Sequence, residues 1–107
     1  MLVEERIYTL QPATTAAYIK AYEAEGMAIQ KRILGRMVGY YQTEFGTLNQ
    51  VIHMWAYEDL NERTEKRARL QADPRWQAYV AKVRPLIIKQ ENRLLLPAPF
   101  LKVKWQD

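Results

Sequence analysis

The stretch VGYYQTEFGTLNQVIHMWAY, Val38–Tyr57, decides the fold. Its second half alternates. Ile52, Met54 and Ala56 fall on one side of an extended chain; Asn49, Val51, His53, Trp55 and Tyr57 fall on the other. Its first half is also rich in residues that favour extended backbone, and Phe45-Gly46-Thr47 lies between the halves as a turn. Residues 37–44 and 48–58 therefore read as two strands of a β-hairpin. His53 is the only histidine in the chain.

Upstream of the hairpin, Gly35 is a helix stop. Before it Tyr18, Ile19, Tyr22, Ile29 and Ile33 recur at helical spacing, so 14–33 reads as a helix that Gly26 interrupts. Residues 3–10 read as a first strand, ended by Pro12. Downstream, Asp59 with Glu62 three residues on has capping-box spacing and starts a helix that runs to about Ala72. Asp73-Pro74 restarts helix, with Trp76, Tyr79, Val80 and Val83 on one apolar face up to Pro85. Trp76 is read as core. Residues 86–96 form the last strand, PAPF closes the regular part, and 101–107 is read as a loosely held tail.

The order is β-α-β-β-α-β with the second helix in two pieces. This predicts one α+β domain over residues 1–107, with the ferredoxin-like split βαβ pattern. Four strands form one antiparallel sheet and both helices cover one face.

Alternation then has to be assigned to faces. Ile52, Met54 and Ala56 are compact and apolar and are expected under the helices. His53, Trp55 and Tyr57 are expected on the uncovered face, together with Arg6, Tyr8 and one of Tyr40 and Tyr41. So many aromatics on an open sheet call for a cover. A second copy of the chain, sheet against sheet, is the simplest one. A homodimer is therefore expected.

Composition narrows the function classes. The 107 residues contain no cysteine, which excludes disulfides, thiolate nucleophiles and cysteine-ligated metal. One histidine and no two-His spacing speak against a metal site. The net charge of +4 is scattered among acids, as in ERTEKRAR, rather than gathered on one face, so nucleic acid is not the expected partner. No apolar run approaches the roughly 20 residues of a membrane span. The opening MLVEERIYTL, with Glu4 and Glu5, does not read as a secretory signal. A cytoplasmic location is expected.

Five stretches occur in a telling order and spacing: YTLQP (Tyr8–Pro12), Val38–Tyr57, ERTEKRARL (Glu62–Leu70), DPRWQAY (Asp73–Tyr79) and RLLLPAPF (Arg93–Phe100). Together they resemble the NIPSNAP family over nearly the whole domain. Glu5 departs from the pattern, where an apolar residue is expected. The resemblance implies a dimeric α/β barrel of two ferredoxin-like units. It implies no established reaction. Animal members of the family are linked to mitochondria, vesicle traffic and organelle quality control, and this chain looks more like the compact bacterial form. Related dimeric barrels include cofactor-independent oxygenases, dehydratases, isomerases and haem-degrading enzymes, an analogy of fold only.

Several residues are candidates for a site. His53 can exchange protons near neutral pH, and in a dry aromatic pocket its pKa would shift. A buried histidine that merely holds register is the commoner case. Arg6, Tyr8, Tyr40, Trp55 and Tyr57 are candidates for lining a site for a planar or apolar ligand. Arg63 and Arg67 lie four apart on one helix face, at positions where the resemblance implies arginine, and could hold a carboxylate or phosphate. A surface ladder with Glu62 and Glu65 is the competing expectation. The leading functional reading is a homodimeric binder of a small apolar or aromatic molecule. The alternative is a cofactor-independent monooxygenase-like or isomerase-like enzyme, with His53 as proton-transfer base and Tyr40 or Tyr8 steadying an oxyanion. A second alternative is a protein-interaction module using the outer helix face and its arginines. No reading requires a cofactor or metal.

Overall fold

A computed structural model of the chain describes residues 1–106. Its elements run β1 (Leu2–Leu10), α1 (Thr15–Ala21), a π-helical turn (Tyr22–Gly26), α2 (Met27–Leu34), β2 (Arg36–Gln42), β3 (Gln50–Tyr57), α3 (Leu60–Ala72), α4 (Pro74–Val83), a 3-10 turn (Arg84–Leu86) and β4 (Ile87–Leu95). The four strands form one antiparallel sheet in the order β2-β3-β1-β4. This is the α+β, ferredoxin-like arrangement that the element order predicts.

Local chemistry explains the boundaries. Asp59 accepts from the backbone N–H of Glu62 at 2.8 Å, and Glu62 accepts in return from the N–H of Glu58 at 3.3 Å. The capping box is thus closed through the residue before the cap. Asp73 ends α3 and caps α4, accepting from the N–H groups of Arg75 and Trp76, with Pro74 in the first turn. Gly35 ends α2 at φ +87°, a conformation that glycine adopts without strain. The hairpin is wider than its sequence suggests. Both strands are shorter than expected, and residues 43–49 form the connection.

The middle of the first helix departs from α geometry where Gly26 stands. A Cβ at Gly26 would lie 2.9 Å from the Tyr79 ring. The glycine lets α4 approach, and the π turn carries buried Tyr22 beside it. Such bulges concentrate at functional sites.

The grouping of side chains by alternation holds, but the face assignment is inverted. Val51, His53, Trp55 and Tyr57 are all buried under the helices. They share a core with Tyr8 and Leu10 of β1, Tyr18, Tyr22 and Leu34 of the first helix, Leu70 of α3, and Tyr79 and Val83 of α4. Glu4, Arg6 and Tyr8 face the same way, opposite Trp55, His53 and Val51 in the ladder. Ile52 and Met54 instead lie half-buried on the face without helices, with Ile7 on one side and exposed Tyr41 on the other. Ala56, between Val3 and Arg36 in the ladder, is buried. The physical reason is area. Burying a large ring is worth about 1.5–3 kcal/mol, so the larger set takes the deeper side. Glu4, Arg6 and Tyr8 go with it because they hydrogen-bond to one another.

The tail crosses back to the sheet. The Gln106 N–H donates to the Met37 carbonyl at 3.0 Å, and the Arg36 guanidinium sits 5.4 Å from the Trp105 ring centroid. The last residue of the predicted tail, Asp107, lies outside the described residues. Among the described residues, no helix is long and apolar enough to cross a membrane, and no three His, Cys, Asp or Glu side chains gather as a metal site would require.

Candidate functional site

Between the sheet and the helices lies a cavity of about 490 Å³. That is within the usual range of small-molecule sites. Tyr18 and Tyr22, one turn apart, present their rings from the first helix. Trp76 and Tyr79, three apart on α4, close the other wall, and Tyr8, Tyr40 and His53 form the sheet side. Tyr40 stacks on Tyr22 at 4.5 Å and on His53 at 4.8 Å between centroids. Tyr8 meets His53 edge-on at 5.0 Å. The walls are thus flat, rigid and aromatic.

His53 is held from three sides. Trp55, two residues along the same strand face, donates from Nε1 to His53 Nδ1 at 2.7 Å. Indole nitrogen can only donate, so Nδ1 is the bare nitrogen and Nε2 carries the proton. That Nε2 is buried and has no hydrogen-bond partner. Burial first, then the positive charges of Arg6 and Arg67, push the pKa of His53 from 6.5 down to about 3. The imidazole is therefore neutral at physiological pH and keeps one unpartnered N–H donor in the cavity lining.

Behind this wall stands Glu4, fully buried. It accepts from Arg6 Nη1 at 3.0 Å, Arg63 Nη2 at 2.8 Å and Asn92 Nδ2 at 2.9 Å. Burial alone would raise its pKa. The hydrogen bonds from Arg63 and Asn92 and the charges of Arg6 and Arg63 outweigh burial and hold it at about 2. Arg6 also donates from Nε to the Tyr8 hydroxyl at 2.9 Å, which fixes both side chains at the cavity wall. One carboxylate thus serves two arginines.

Arg67, one turn beyond Arg63 on α3, reaches the cavity instead. Its Nη1 is buried with no hydrogen-bond partner. Burial and the neighbouring charge of Arg6 lower its pKa, yet a guanidinium stays charged at any working pH. The tyrosine hydroxyls are in the opposite state. Burial raises Tyr18 to about 12 and lifts Tyr22, Tyr40 and Tyr79 well above the ordinary phenol range, so all four remain protonated.

Of the residues singled out in the sequence, Arg6, Tyr8, Tyr40, His53 and Arg67 line the cavity together. Trp55, Tyr57 and Arg63 do not. Trp55 orients His53 from the side, Tyr57 is buried in the core, and Arg63 is committed to Glu4. The surface ladder expected for Arg63 and Arg67 does not form, because Glu62 pairs with Arg36 and Lys66. Both arginines turn inward, drawn by the buried carboxylate and the aromatic wall. Sequence reasoning placed Tyr18, Tyr22, Tyr79 and Trp76 in the core without recognising a site. The available signal was their chemistry: these stripes carry hydroxyl and indole groups, which need hydrogen-bond partners when buried.

Comparisons with known proteins agree with this architecture. Residues 3–102 match the family model described as NIPSNAP. The chain is 32% identical over 103 residues to human Protein NipSnap homolog 3A, a match covering 94% of the chain and 41% of that protein. It is 33% identical over 99 residues to a NipSnap protein of Caenorhabditis elegans, 92% of the chain and 18% of that protein. The chain therefore spans well under half the length of these relatives. Among solved structures, protein Atu4242 of Agrobacterium tumefaciens superposes with a TM-score of 0.94 at 45% identity, covering 96% of this chain and 99% of that one. A NIPSNAP-like domain protein of Burkholderia xenovorans gives 0.92 at 48% identity, covering 98% and 94%. SnoaB, a cofactor-independent oxygenase from Streptomyces nogalater, gives 0.64 at 16% identity over 94% and 95%, a likeness of fold alone.

Proposed function

The chain belongs to the NIPSNAP family, and from its cavity we propose that it binds a small aromatic or apolar molecule between the sheet and the helices of a single protomer. The observation that carries this reading is the stacked row Tyr22–Tyr40–His53, which joins the helix side to the sheet side of an open volume. A core built only for packing closes such a volume, because lost contacts cost stability. Flat rings with a few fixed donors suit a planar ligand.

An enzymatic version uses the same residues with one change of role. The fold likeness to a cofactor-independent oxygenase supports it only at the level of architecture. The hydrogen bond from Trp55 occupies the one bare nitrogen of His53, so the imidazole is a poor proton-transfer base. Its N–H suits stabilisation of a developing oxyanion, with Tyr40 alongside. The interaction-module reading loses its arginines, since Arg63 and Arg67 point inward.

The same proposal includes a homodimer through the uncovered sheet face, where Ile7, Ile52, Met54 and Tyr41 lie side by side. Ile88, Leu96 and Phe100 are further exposed apolar side chains. It also takes the chain to work in the cytosol, as the lack of cysteine suits.

The test is titration with 2-naphthol, read through quenching of tryptophan emission, since Trp76 lines the cavity. Binding at micromolar concentration, lost in Val80→Trp, which fills the volume, is the expected result. No response to this or other two-ring probes, or equal binding by Val80→Trp, overturns the reading. Light scattering at micromolar concentration should give twice the chain mass of 12.7 kDa; a monomer would refute the dimer.

A further inference from the structure

The cavity is electrostatically one-sided. Arg6, Arg67 and Arg84 line it, and among the described residues no acidic one does. Glu4 answers Arg6 and Arg63 from behind. Arg67 feels the Glu4 charge only without contact: among the described residues no ion pair includes it, and its Nη1 is a buried donor with nothing to donate to. His53 lines the same cavity, and its Nε2 is a second buried donor without a partner. A buried cation without a counter-ion destabilises a fold. The Tyr79 hydroxyl, also in the lining, is a third buried group with no hydrogen-bond partner, and three such groups at one cavity mark the place where an acceptor belongs.

We propose that the ligand is a planar aromatic acid whose carboxylate is gripped by Arg67 and by the Nε2–H of His53, with its ring against the aromatic walls of the cavity. A planar guanidinium offers a fork of parallel N–H donors that matches a carboxylate in shape and charge. His53 donates because Trp55 holds its tautomer. The neutral tyrosine hydroxyls add donors and no competing negative charge. The walls choose a flat organic anion over a hydrated inorganic one, because aromatic surface replaces water poorly around a compact ion. This rests on the cavity reading above and makes it specific.

Calorimetric titration with two matched probes tests it: 2-naphthoate and 2-naphthamide, equal in shape and unequal in charge. The wild-type protein should bind naphthoate at least about tenfold more tightly than the amide, as a charge-assisted pair predicts. Arg67→Met should reduce that preference to about twofold or less while leaving amide binding in place, the loss expected when the cation of such a pair is removed. Arg69→Met, on the same helix but exposed and outside the cavity lining, should retain it. Equal binding of both probes by wild type overturns the carboxylate assignment and leaves the cavity reading standing. A preference that survives Arg67→Met overturns the role of Arg67. Binding of neither probe overturns the cavity reading and this inference with it. The wild-type comparison depends on no variant folding.

Discussion

The state of His53 makes a quantitative prediction. In the unfolded chain its imidazole titrates near 6.5, whereas in the fold it is held at about 3, through burial first and then the charges of Arg6 and Arg67. The folded protein refuses a proton that the unfolded chain accepts. Stability is therefore full well above the unfolded value and falls as pH drops from 6.5 towards 3, at about 1.4 kcal/mol per pH unit. Between about pH 7 and pH 5 the folded form stays neutral, so the loss is set by the unfolded imidazole alone and amounts to about 2 kcal/mol. Glu4, with a folded pKa of about 2 against an ordinary 4.5, has the same sign but a lower window. Its contribution over that interval is about 0.2 kcal/mol, and most of its loss comes as pH falls from 4.5 to 2. The perturbation is His53→Gln, whose amide oxygen can accept from Trp55 and whose nitrogen can donate into the cavity without titrating. Urea unfolding followed by circular dichroism near pH 7, 6 and 5 should show wild type losing about 2 kcal/mol more than the variant. The remaining carboxylates are common to both proteins and cancel in the comparison. Parallel pH profiles would refute the reasoning, since they would mean that folded His53 takes up its proton as freely as the unfolded chain does.

Two arginines one turn apart on α3 should respond oppositely to the same substitution. Arg63→Met removes a partner from buried Glu4 and should cost about 2–3 kcal/mol in urea unfolding, whereas Arg67→Met removes an unpaired cation and should be neutral or stabilising by about 1 kcal/mol. Gly26→Ala places a methyl 2.9 Å from the Tyr79 ring; despite a helix-propensity gain of about 1 kcal/mol, overpacking should leave it less stable by about 1 kcal/mol. Calorimetry should also show weaker naphthoate binding in Gly26→Ala, because Tyr79 must move into the cavity. Unchanged stability and unchanged binding together would show that the π turn is not coupled to the site.

Much of the fold is legible along the chain because its signals are local. Asp59 and Glu62 mark a helix start within one turn, Asp73-Pro74 marks a restart, and alternation from Val51 to Tyr57 marks a strand. Each depends on neighbours within about four residues, where backbone geometry determines what touches what. The π turn at Tyr22–Gly26 was signalled only by an awkward glycine, because its cause is the Tyr79 ring on another helix. The candidate site was half legible. Alternation groups His53 with Trp55 and pairs it across strands with Arg6 and Tyr8. Helical spacing likewise groups Tyr18 with Tyr22 and Trp76 with Tyr79.

What the sequence by itself determined is therefore the element order, the family, and which side chains share a face. Which face the helices cover was decided only by the tertiary structure. Period-two alternation is symmetric: it separates two sets without saying which lies inside. That choice depends on the sum of buried ring area and on whether Glu4, Arg6 and Arg63 can satisfy one another across sixty residues of chain. Because they can, the polar and aromatic set goes under the helices. His53 then lies in a cavity between the sheet and the helices of its own chain, with one nitrogen tied to Trp55 and the other unmet.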